Sequence, residues 1–212
     1  MGDNGSVDAQ PGYDALAEQY ASTFPSPFVT VLERHAVDAF AEQVRASAPD
    51  ASVIDVGCGT GGVAAHLTEH GLSVRGVDPS EEMLAIARRQ YPHLSFEVGD
   101  ADLDAVDLAE VHGVVARFSL IHLPPDRVRA TLADWASRLP TGAWLLVATQ
   151  ASDDPGVHEF DHHVARAWRW HPETLAAAVD AAGFAEEWRA VSRPDVDYHH
   201  RFPEIHLVAR CR

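Results

Sequence analysis

Short apolar runs alternate with amphipathic segments along most of the chain. The runs are rich in branched side chains and are typical of buried strands. They cover Ser52–Val56, Ser73–Asp78, Leu94–Val98, Gly113–Ser119, Ala143–Thr149 and, near the carboxyl end, Glu187–Val191 and Glu204–Ala209. Because strands that alternate with helices form parallel sheets, the pattern predicts an α/β fold with helices on both faces of the sheet.

Helices are predicted between these runs by their start and stop signals. A helix over 62–70 ends before Gly71, and a helix over 80–90 has acidic residues in its first turn, where they complement the helix dipole. A helix over 172–182 begins at a proline and ends before Gly183. These signals agree with the strand pattern.

Two amphipathic helices are predicted before the first strand. Apolar residues recur at helical spacing over Tyr13–Phe24, and this helix ends before Pro25. In the second helix Ser26 is the predicted cap and Pro27 lies in the first turn, with an apolar face that continues to Val44. Both helices therefore precede the sheet.

The pattern divides a single domain into two parts. Residues 1–50 form an N-terminal helical cap, and residues 51–212 form the core. Within the core, residues 151–170 are rich in Asp, His and Trp and show no clear hydrophobic period before Val164. We expect this stretch to be a lid over the carboxyl edge of the sheet.

Composition narrows the classes of partner. The chain has 212 residues, 46% of them hydrophobic, which suits one globular domain. Its formal net charge of −16 would repel nucleic-acid phosphates and anionic membranes, so neither partner is expected. The basic side chains are all arginine, which excludes lysine catalysis.

Cysteine usage and hydropathy indicate a compartment. The two cysteines, Cys58 and Cys211, are too few for a disulfide framework. No stretch is apolar for long enough to span a bilayer, and the first residues lack a signal-peptide pattern. We expect a cytoplasmic protein, and its oligomeric state is expected to be a monomer or a homodimer.

A glycine-rich turn, Gly-Cys-Gly-Thr-Gly-Gly over 57–62, follows the first strand. Glycines there let the main chain approach a ligand closely and allow a sharp strand-to-helix connection. Gly57, Gly59 and Gly62 fit the dinucleotide fingerprint. Asp78 follows near the distance expected for an acid that binds ribose hydroxyls. Two kinds of nucleoside cofactor are compatible with this pattern.

Acidic residues near the ends of successive strands extend the motif. Asp55 stands two positions before the first glycine, and Gly61 completes the pattern D-x-G-x-G-x-G. Asp78 and Asp100 end the second and third strands. Together these residues resemble the class I S-adenosylmethionine-dependent methyltransferases. Other segments that share the resemblance are Val77–Leu84, Gly99–Ala101, Phe118–Leu123, Leu139–Gly142 and Ala181–Phe184.

The resemblance implies a fold and a cofactor. The fold is a Rossmann-like seven-stranded sheet, mostly parallel with an antiparallel last strand, and the cap would lie over S-adenosylmethionine. Gly57, Gly59 and Gly61 would line the methionine moiety of the cofactor. Asp55 would lie near its ammonium group, and Asp78 would bind the ribose hydroxyls. The product would be S-adenosylhomocysteine.

Further positions of the cofactor site follow from the same resemblance. Met83 would pack against adenine, with Asp100 at the exocyclic amine and the backbone amide of Ala101 beside it. The remaining positions are Tyr13 and Tyr20 of the leading helix and Arg117, where the backbone of the fourth strand would meet the methionine amino group. Met83 and the two tyrosines are equally compatible with simple packing.

Catalysis by such a protein depends mainly on positioning, because the sulfonium of the cofactor is already a good leaving group. A base helps if the acceptor is a hydroxyl or a protonated amine, and histidine suits that role. The candidates are His122 after the fourth strand, His158, His162 and His163 in the lid, and His199 and His200 near the carboxyl end.

Structural roles are the alternatives for these side chains. For His122 the structural alternative is to orient a loop. For Trp168 and Trp170 the alternative to stacking on an acceptor is packing in the protein. His158 and His162 have a spacing that would suit a metal on a helix, but no third ligand accompanies them, so no metal is expected.

The sequence predicts an S-adenosylmethionine-dependent methyltransferase that acts on O, N, C or S of a small-molecule metabolite of specialised metabolism. One alternative is an NAD(P)-dependent oxidoreductase that uses the same glycines; its Tyr-x-x-x-Lys version is excluded because the chain has no lysine. The other alternative is a non-catalytic binding or scaffold protein that retains the pocket.

Overall fold

Helices and strands alternate through the part of the chain that the computed structural model describes, which is residues 11–162, 164–193 and 202–212. The helices are α1 (Pro11–Thr23), α2 (Val31–Ser47), α3 (Gly62–Glu69), α4 (Glu81–Gln90), α5 (Pro125–Arg138) and α6 (Pro172–Ala182). The strands are β1 (Ser52–Val56), β2 (Ser73–Asp78), β3 (Ser95–Val98), β4 (Gly113–Arg117), β5 (Trp144–Gln150), β6 (Val157–Asp161), β7 (Arg166–Trp170), β8 (Phe184–Ser192) and β9 (Glu204–Cys211). A short 3₁₀ helix, Leu120–His122, follows β4.

Within the described ranges, seven strands form one sheet in the order β3-β2-β1-β4-β5-β9-β8. β3, β2, β1, β4 and β5 are mutually parallel, whereas β9 is antiparallel to both β5 and β8. The strand order reverses between β1 and β4, and ligands of open α/β sheets bind in the crevice at such a point. The predicted sheet, mostly parallel with an antiparallel last strand, is confirmed.

Alternate side chains of the sheet enter two hydrophobic cores. On one face Ile54 packs in a cluster with Trp135 of α5, and on the other face Val53 packs in a cluster with Phe40 of α2. Burial on both faces explains why the strands appear in the sequence as unbroken apolar runs. It also fixes the register, because a slip by one residue would exchange the two faces.

The start of α2 differs from the prediction. The helix begins after Thr30, while Ser26 and Pro27 lie in the loop before it. The hydroxyl of Thr30 accepts a hydrogen bond from the amide of Glu33 at 3.2 Å, and the carboxylate of Glu33 accepts one from the amide of Thr30 at 3.0 Å. This reciprocal capping box satisfies two amides at once, which a serine at position 26 does not do.

Residues 151–170 contain a β-hairpin rather than an aperiodic segment. β6 pairs with β7 in antiparallel register. No residue of β6 is buried, so no alternation of hydrophobic positions marks the strand in the sequence. Trp170 belongs to the core, and its carbonyl accepts a hydrogen bond from the amide of Ser152 at 3.1 Å. These contacts attach the base of the hairpin to the sheet.

Other predictions have mixed outcomes. Cys58 and Cys211 are buried and form no disulfide. No helix in the described part of the chain is long and apolar enough to cross a membrane. His163, His199 and His200 lie outside the described residues.

Replacing Thr30 tests the capping box. Thr30→Ala removes the acceptor for the Glu33 amide, so we expect the free energy of unfolding to fall by about 1 kcal/mol. Ser26→Ala is the matched control, because Ser26 lies outside the helix, and a change below about 0.5 kcal/mol is expected. Urea unfolding followed by circular dichroism measures both. Equal losses would contradict the assignment of Thr30 as the cap.

Candidate active site

A cavity of about 500 Å³ opens at the carboxyl ends of the central strands. Helix α1 forms part of its wall, because Ala17 of α1 packs with Met83 and Ile86 of α4. Parallel strands end at one edge, which brings residues that are distant in sequence together there. The predicted site residues that line the cavity are Tyr13, Tyr20, Asp55, Gly57, Gly59, Asp78, Met83, Asp100, Ala101, Arg117, His122 and His162.

The turn after β1 requires glycine at the point where it meets a neighbouring segment. Gly57 has a φ of +69°, and a Cβ there would lie 2.2 Å from the Cβ of Ser119. The amides of Gly57 and Cys58 both donate to the carbonyl of Val77, at 2.7 and 3.1 Å. Gly59 differs, since its φ is +53° but a Cβ there would meet no described atom within 4 Å. The main chain at Gly59 therefore faces open space.

Asp78 holds this turn from the end of β2. Its Oδ2 accepts a hydrogen bond from the amide of Gly59 at 2.8 Å, and its Oδ1 accepts one from the amide of Ser80 at 2.9 Å. Burial raises the pKa of the Asp78 carboxyl group, while the two amide donors act in the opposite direction. The predicted ligand-binding acid thus also has a structural role.

Asp55 is a buried acid with an unsatisfied oxygen. The residue is 2% exposed, and its Oδ2 has no hydrogen-bond partner among the residues that the structure describes. The pKa of Asp55 is raised to about 7, mainly by burial. The charge of Arg117 lowers this pKa, and the charge of Asp78 raises it. Buried polar atoms are nearly always paired in folded proteins, so a donor from a ligand would complete this site.

Tyr13 and His122 form a polar pair across the cavity. Nδ1 of His122 donates to the carbonyl of Arg166 at 2.9 Å, since a carbonyl oxygen only accepts. In a neutral ring Nε2 is then an acceptor, and it lies 3.0 Å from the hydroxyl of Tyr13. Burial lowers the pKa of His122 and raises that of Tyr13. The ring of His162 lies edge-on to His122, with centroids 4.9 Å apart.

Arg117 and Glu33 form a buried ion pair at the wall of the cavity. The distance from Nη2 of Arg117 to Oε2 of Glu33 is 2.7 Å, and the side chains are 6% and 4% exposed. Nη1 of Arg117 also donates to the carbonyl of Pro27 at 3.0 Å. Its guanidinium lies over the rings of Phe28 and Phe118. The side chain of Arg117 therefore joins β4 to the segment that leads into α2.

The predicted adenine end is built by α4 and the loop after β3. Met83 is 2% exposed and packs with Ala17 of α1, so it contributes to packing as well as to the cavity wall. Oδ1 of Asp100 accepts a hydrogen bond from the amide of Asp102 at 3.0 Å. The carbonyl of Ala101 accepts one from the indole of Trp135 at 2.8 Å. These bonds fix the loop that carries Asp100 and Ala101.

Two predicted site residues do not line the cavity. Gly61 is the N-cap of α3, and a Cβ there would lie 2.6 Å from the ring of Phe96. It therefore serves the packing of the turn. His158 lies in β6, where its Nε2 is 3.2 Å from the carbonyl oxygen of Asp154. The helical spacing considered for His158 and His162 does not apply, because the segment is a strand.

The tryptophans considered for acceptor stacking also lie away from the cavity wall as the structure describes it. Trp170 is in the hydrophobic core, and the guanidinium of Arg166 lies over the ring of Trp168 at 5.4 Å from its centroid. Packing is thus the observed role of Trp170.

Several residues of the cavity were not predicted from the sequence. They are Glu33, Ser119, Gln150, Phe160, Phe202 and Glu204. The rings of Phe160 and Phe202 lie edge to face with centroids 5.1 Å apart. Two of them had a signal in the sequence: Ser119 lies in the segment Phe118–Leu123 that shares the family resemblance, and Glu33 completes Thr-x-x-Glu, a capping-box pattern.

Comparison with known proteins relates the chain to methyltransferases. Residues 53–142 match the family described as "Methyltransferase domain". An O-methyltransferase of Pyrenophora dematioidea is 34% identical over 113 residues, which is 50% of this chain and 42% of that protein. The dTDP-3-amino-3,4,6-trideoxy-alpha-D-glucopyranose N,N-dimethyltransferase of Streptomyces venezuelae is 30% identical over 72% of this chain and 58% of its own length. The chain thus spans about half the length of the curated relatives it matches.

A solved structure has a similar fold. The 1,6-didemethyltoxoflavin-N1-methyltransferase of Burkholderia thailandensis, with bound 1,6-didemethyltoxoflavin and S-adenosylhomocysteine, superimposes with a TM-score of 0.68 at 20% sequence identity. The match covers 99% of this chain and 93% of that one. At this identity the likeness establishes the fold.

The buried carboxyl group of Asp55 predicts how stability varies with pH. A pKa raised to about 7 means that the folded state keeps a proton that the unfolded state loses near pH 4. The stabilisation that the protonated Asp55 provides is therefore fully present below about pH 4 and is lost as the pH rises to about 7. Over this range the free energy of unfolding should fall by on the order of 4 kcal/mol. Asp55→Asn keeps the shape but cannot ionise.

Urea unfolding of the unliganded protein between pH 4.5 and 7.5 measures this contribution. We expect the wild type to lose stability relative to Asp55→Asn as the pH rises. The difference between the two proteins isolates Asp55, because the high negative charge of the chain affects both alike. Parallel curves would show that Asp55 ionises normally in the folded state.

Proposed function

We propose that the chain contains a class I S-adenosylmethionine-dependent methyltransferase domain, that its cavity binds S-adenosylmethionine and that the protein methylates a small molecule. The observation that carries the proposal is the pair of buried acids, Asp55 and Asp78, at the ends of the neighbouring strands β1 and β2. They flank a glycine turn that presents main chain to the cavity. A ligand that carries both an ammonium group and a ribose can bind to both acids.

The residues present fit this cofactor. The unsatisfied oxygen of Asp55 suits an ammonium group, and the remaining lone pairs of Asp78 suit ribose hydroxyls. The open space in front of Gly59 admits the methionine moiety. Met83 and Asp100 would hold adenine. When bound, S-adenosylmethionine supplies an electrophilic methyl group on a sulfonium leaving group.

Helix α1 would close over the cofactor. Ser80 donates from its hydroxyl to the carboxylate of Asp14 at 2.5 Å, which ties α1 to the start of α4. Tyr13 and Tyr20 of the same helix line the cavity, and their rings meet edge to face with centroids 6.1 Å apart. In this proposal residues 1–50 act as the cap and residues 151–170 as the lid.

His122 is the proposed base for the acceptor. Its Nδ1–H is held by the Arg166 carbonyl, so a neutral ring directs the Nε2 lone pair toward the cavity. The lowered pKa keeps the ring neutral near pH 7. An acceptor hydroxyl or ammonium that takes the place of the Tyr13 hydroxyl would pass its proton to Nε2. His162 would contact the acceptor from the lid.

The proposed acceptor is a small metabolite, of the kind made in specialised metabolism. A cavity of about 500 Å³ suits a nucleoside cofactor together with a small acceptor. Phe160, His162 and Phe202 present aromatic surfaces to it, which favours a flat acceptor. The names of the Streptomyces and Burkholderia proteins refer to small molecules methylated on nitrogen, and an O- or N-acceptor is proposed here.

Other parts of the proposal concern the setting of the protein. The net charge of −16 and the two free cysteines support a cytoplasmic protein without a nucleic-acid partner, as a monomer or a homodimer. The matched methyltransferase region includes the glycine turn, Asp78 and Asp100, which favours S-adenosylmethionine over a nicotinamide cofactor. Binding without turnover would favour the non-catalytic alternative.

Asp78 tests cofactor binding. Asp78→Asn removes the charge that accepts the ribose hydroxyls, and a charge-assisted hydrogen bond contributes about 1.5–3 kcal/mol, so the Kd for S-adenosylhomocysteine should rise by about tenfold or more. Isothermal titration calorimetry measures the Kd. Glu97→Gln, which removes an exposed acid on the neighbouring strand β3, is the matched control and should leave it unchanged. Circular dichroism verifies that both variants fold. An unaltered Kd in a folded Asp78→Asn protein would remove Asp78 from the site.

His122 tests the chemical step. A panel of phenols, amines and thiols, assayed for S-adenosylhomocysteine formation, first identifies an acceptor. With that acceptor, His122→Gln should lower kcat by about 10²- to 10⁴-fold, because a positioned base contributes that much. The Kd for S-adenosylhomocysteine should stay the same. His93→Gln changes an exposed histidine and serves as the control. A variant with wild-type kcat and pH profile would assign His122 to structure alone.

A further inference from the structure

Helices α2 and α3 bring together a cluster of metal-ligating side chains outside the cavity. Asp38 of α2 lies 2.7 Å from Nε2 of His66 and 3.3 Å from Nε2 of His70, measured from the same carboxylate oxygen. The three candidate ligand atoms all lie within 4.8 Å of one another. None of the three residues lines the cavity as described, so the cluster is separate from the proposed active site.

Hydrogen bonds account for only some of the close contacts in this cluster. Nδ1 of His70 is 2.9 Å from the carbonyl oxygen of His66, and because that oxygen only accepts, Nδ1 carries a proton. In a neutral ring Nε2 then has a lone pair, and this lone pair faces a lone pair of the Asp38 carboxylate. The lone pairs of these two atoms, which are 3.3 Å apart, can both be donated to one metal ion.

We propose that Asp38, His66 and His70 form a binding site for a divalent transition metal of the zinc type. Two imidazole nitrogens and a carboxylate oxygen are an established zinc donor set. Ligands about 2.0 Å from a tetrahedral ion are about 3.3 Å apart, which matches the spacing of His70 and Asp38. On binding, the ion takes the place of the proton between His66 and Asp38, and a neutral His66 then carries its ring proton on Nδ1, so that Nε2 is free to bind the metal.

The fold orients the ligands in advance. His66 and His70 are four residues apart along the chain, so they stand on the same face of the helical turn that ends α3. The bond from His70 to the His66 carbonyl is the outer contact that selects Nε2 as the ligand atom. Side-chain exposures of 18–31% leave a coordination position open to water. A further imidazole lies beside the cluster, since Nδ1 of His35 is 3.6 Å from Oδ2 of Asp38.

A metal here would link α2 to α3. The same helix α2 carries Glu33, which pairs with Arg117 in the wall of the cavity. Metal binding therefore predicts a more stable attachment of α2 to the core, which a melting temperature reports without any assay of enzyme activity. The proposal does not depend on the identity of the cofactor or of the acceptor.

Zinc chloride titration of the full-length protein, treated first with a chelator, tests the site. Isothermal titration calorimetry should give one saturable zinc site, Mg²⁺ should not compete for it, and zinc should raise the Tm. Asp38→Asn and His70→Gln should each weaken zinc binding by about tenfold or more and abolish the rise in Tm. His93→Gln is the control for loss of an exposed histidine and should bind zinc as the wild type does.

Two outcomes would overturn the proposal. One is the absence of saturable zinc binding, which would identify the cluster as hydrogen-bonded Asp–His contacts alone. The other is equal zinc affinity in the wild type and in both cluster variants, which would place the ion elsewhere. The Tm of each variant without zinc shows that it folds, and having two variants on different helices keeps the test valid if one of them unfolds.

Discussion

Close contact between the glycine turn after β1 and its neighbours is the constraint on which the site depends. The turn is bonded to the Val77 carbonyl and to the Asp78 carboxylate, and it presses against Ser119 at Gly57. Any side chain at Gly57 would separate these segments. Because the turn is fixed in this way, main-chain groups rather than side chains form the floor of the cavity at Gly59, and a bulky ligand can approach the backbone there.

Buried charge around this turn is of two kinds. Arg117 and Glu33 form an ion pair with a 2.7 Å contact, although Nε of Arg117 has no hydrogen-bond partner among the described residues. Asp55 has an oxygen that the described residues leave unsatisfied, and its pKa is raised. The Arg117–Glu33 pair holds two segments of the protein together, whereas the carboxyl group of Asp55 is suited to binding a charged ligand. Function and stability thus use neighbouring groups for different purposes.

Helix α2 connects the two candidate sites. Its first turn places Glu33 in the cavity wall, and its middle places Asp38 against α3. The Glu33 contact fixes the helix relative to β4 and the Asp38 contact fixes it relative to α3, in addition to the apolar packing of Phe40. The start of α2, which the capping box at Thr30 sets, therefore bears on both contacts.

The sequence alone determined the strands of the main sheet, most of the helices that flank it, the sheet type and the residues of the glycine turn with Asp55 and Asp78. These features are encoded by hydrophobic periodicity and by residues close to strand ends, so they depend on short stretches of chain. The tertiary structure alone decided that Phe160 enters the cavity, that the β6–β7 hairpin forms, and that Asp38 meets His70. Those contacts join segments that come together only when the helices pack on the sheet. No local sequence pattern indicates which segments will meet.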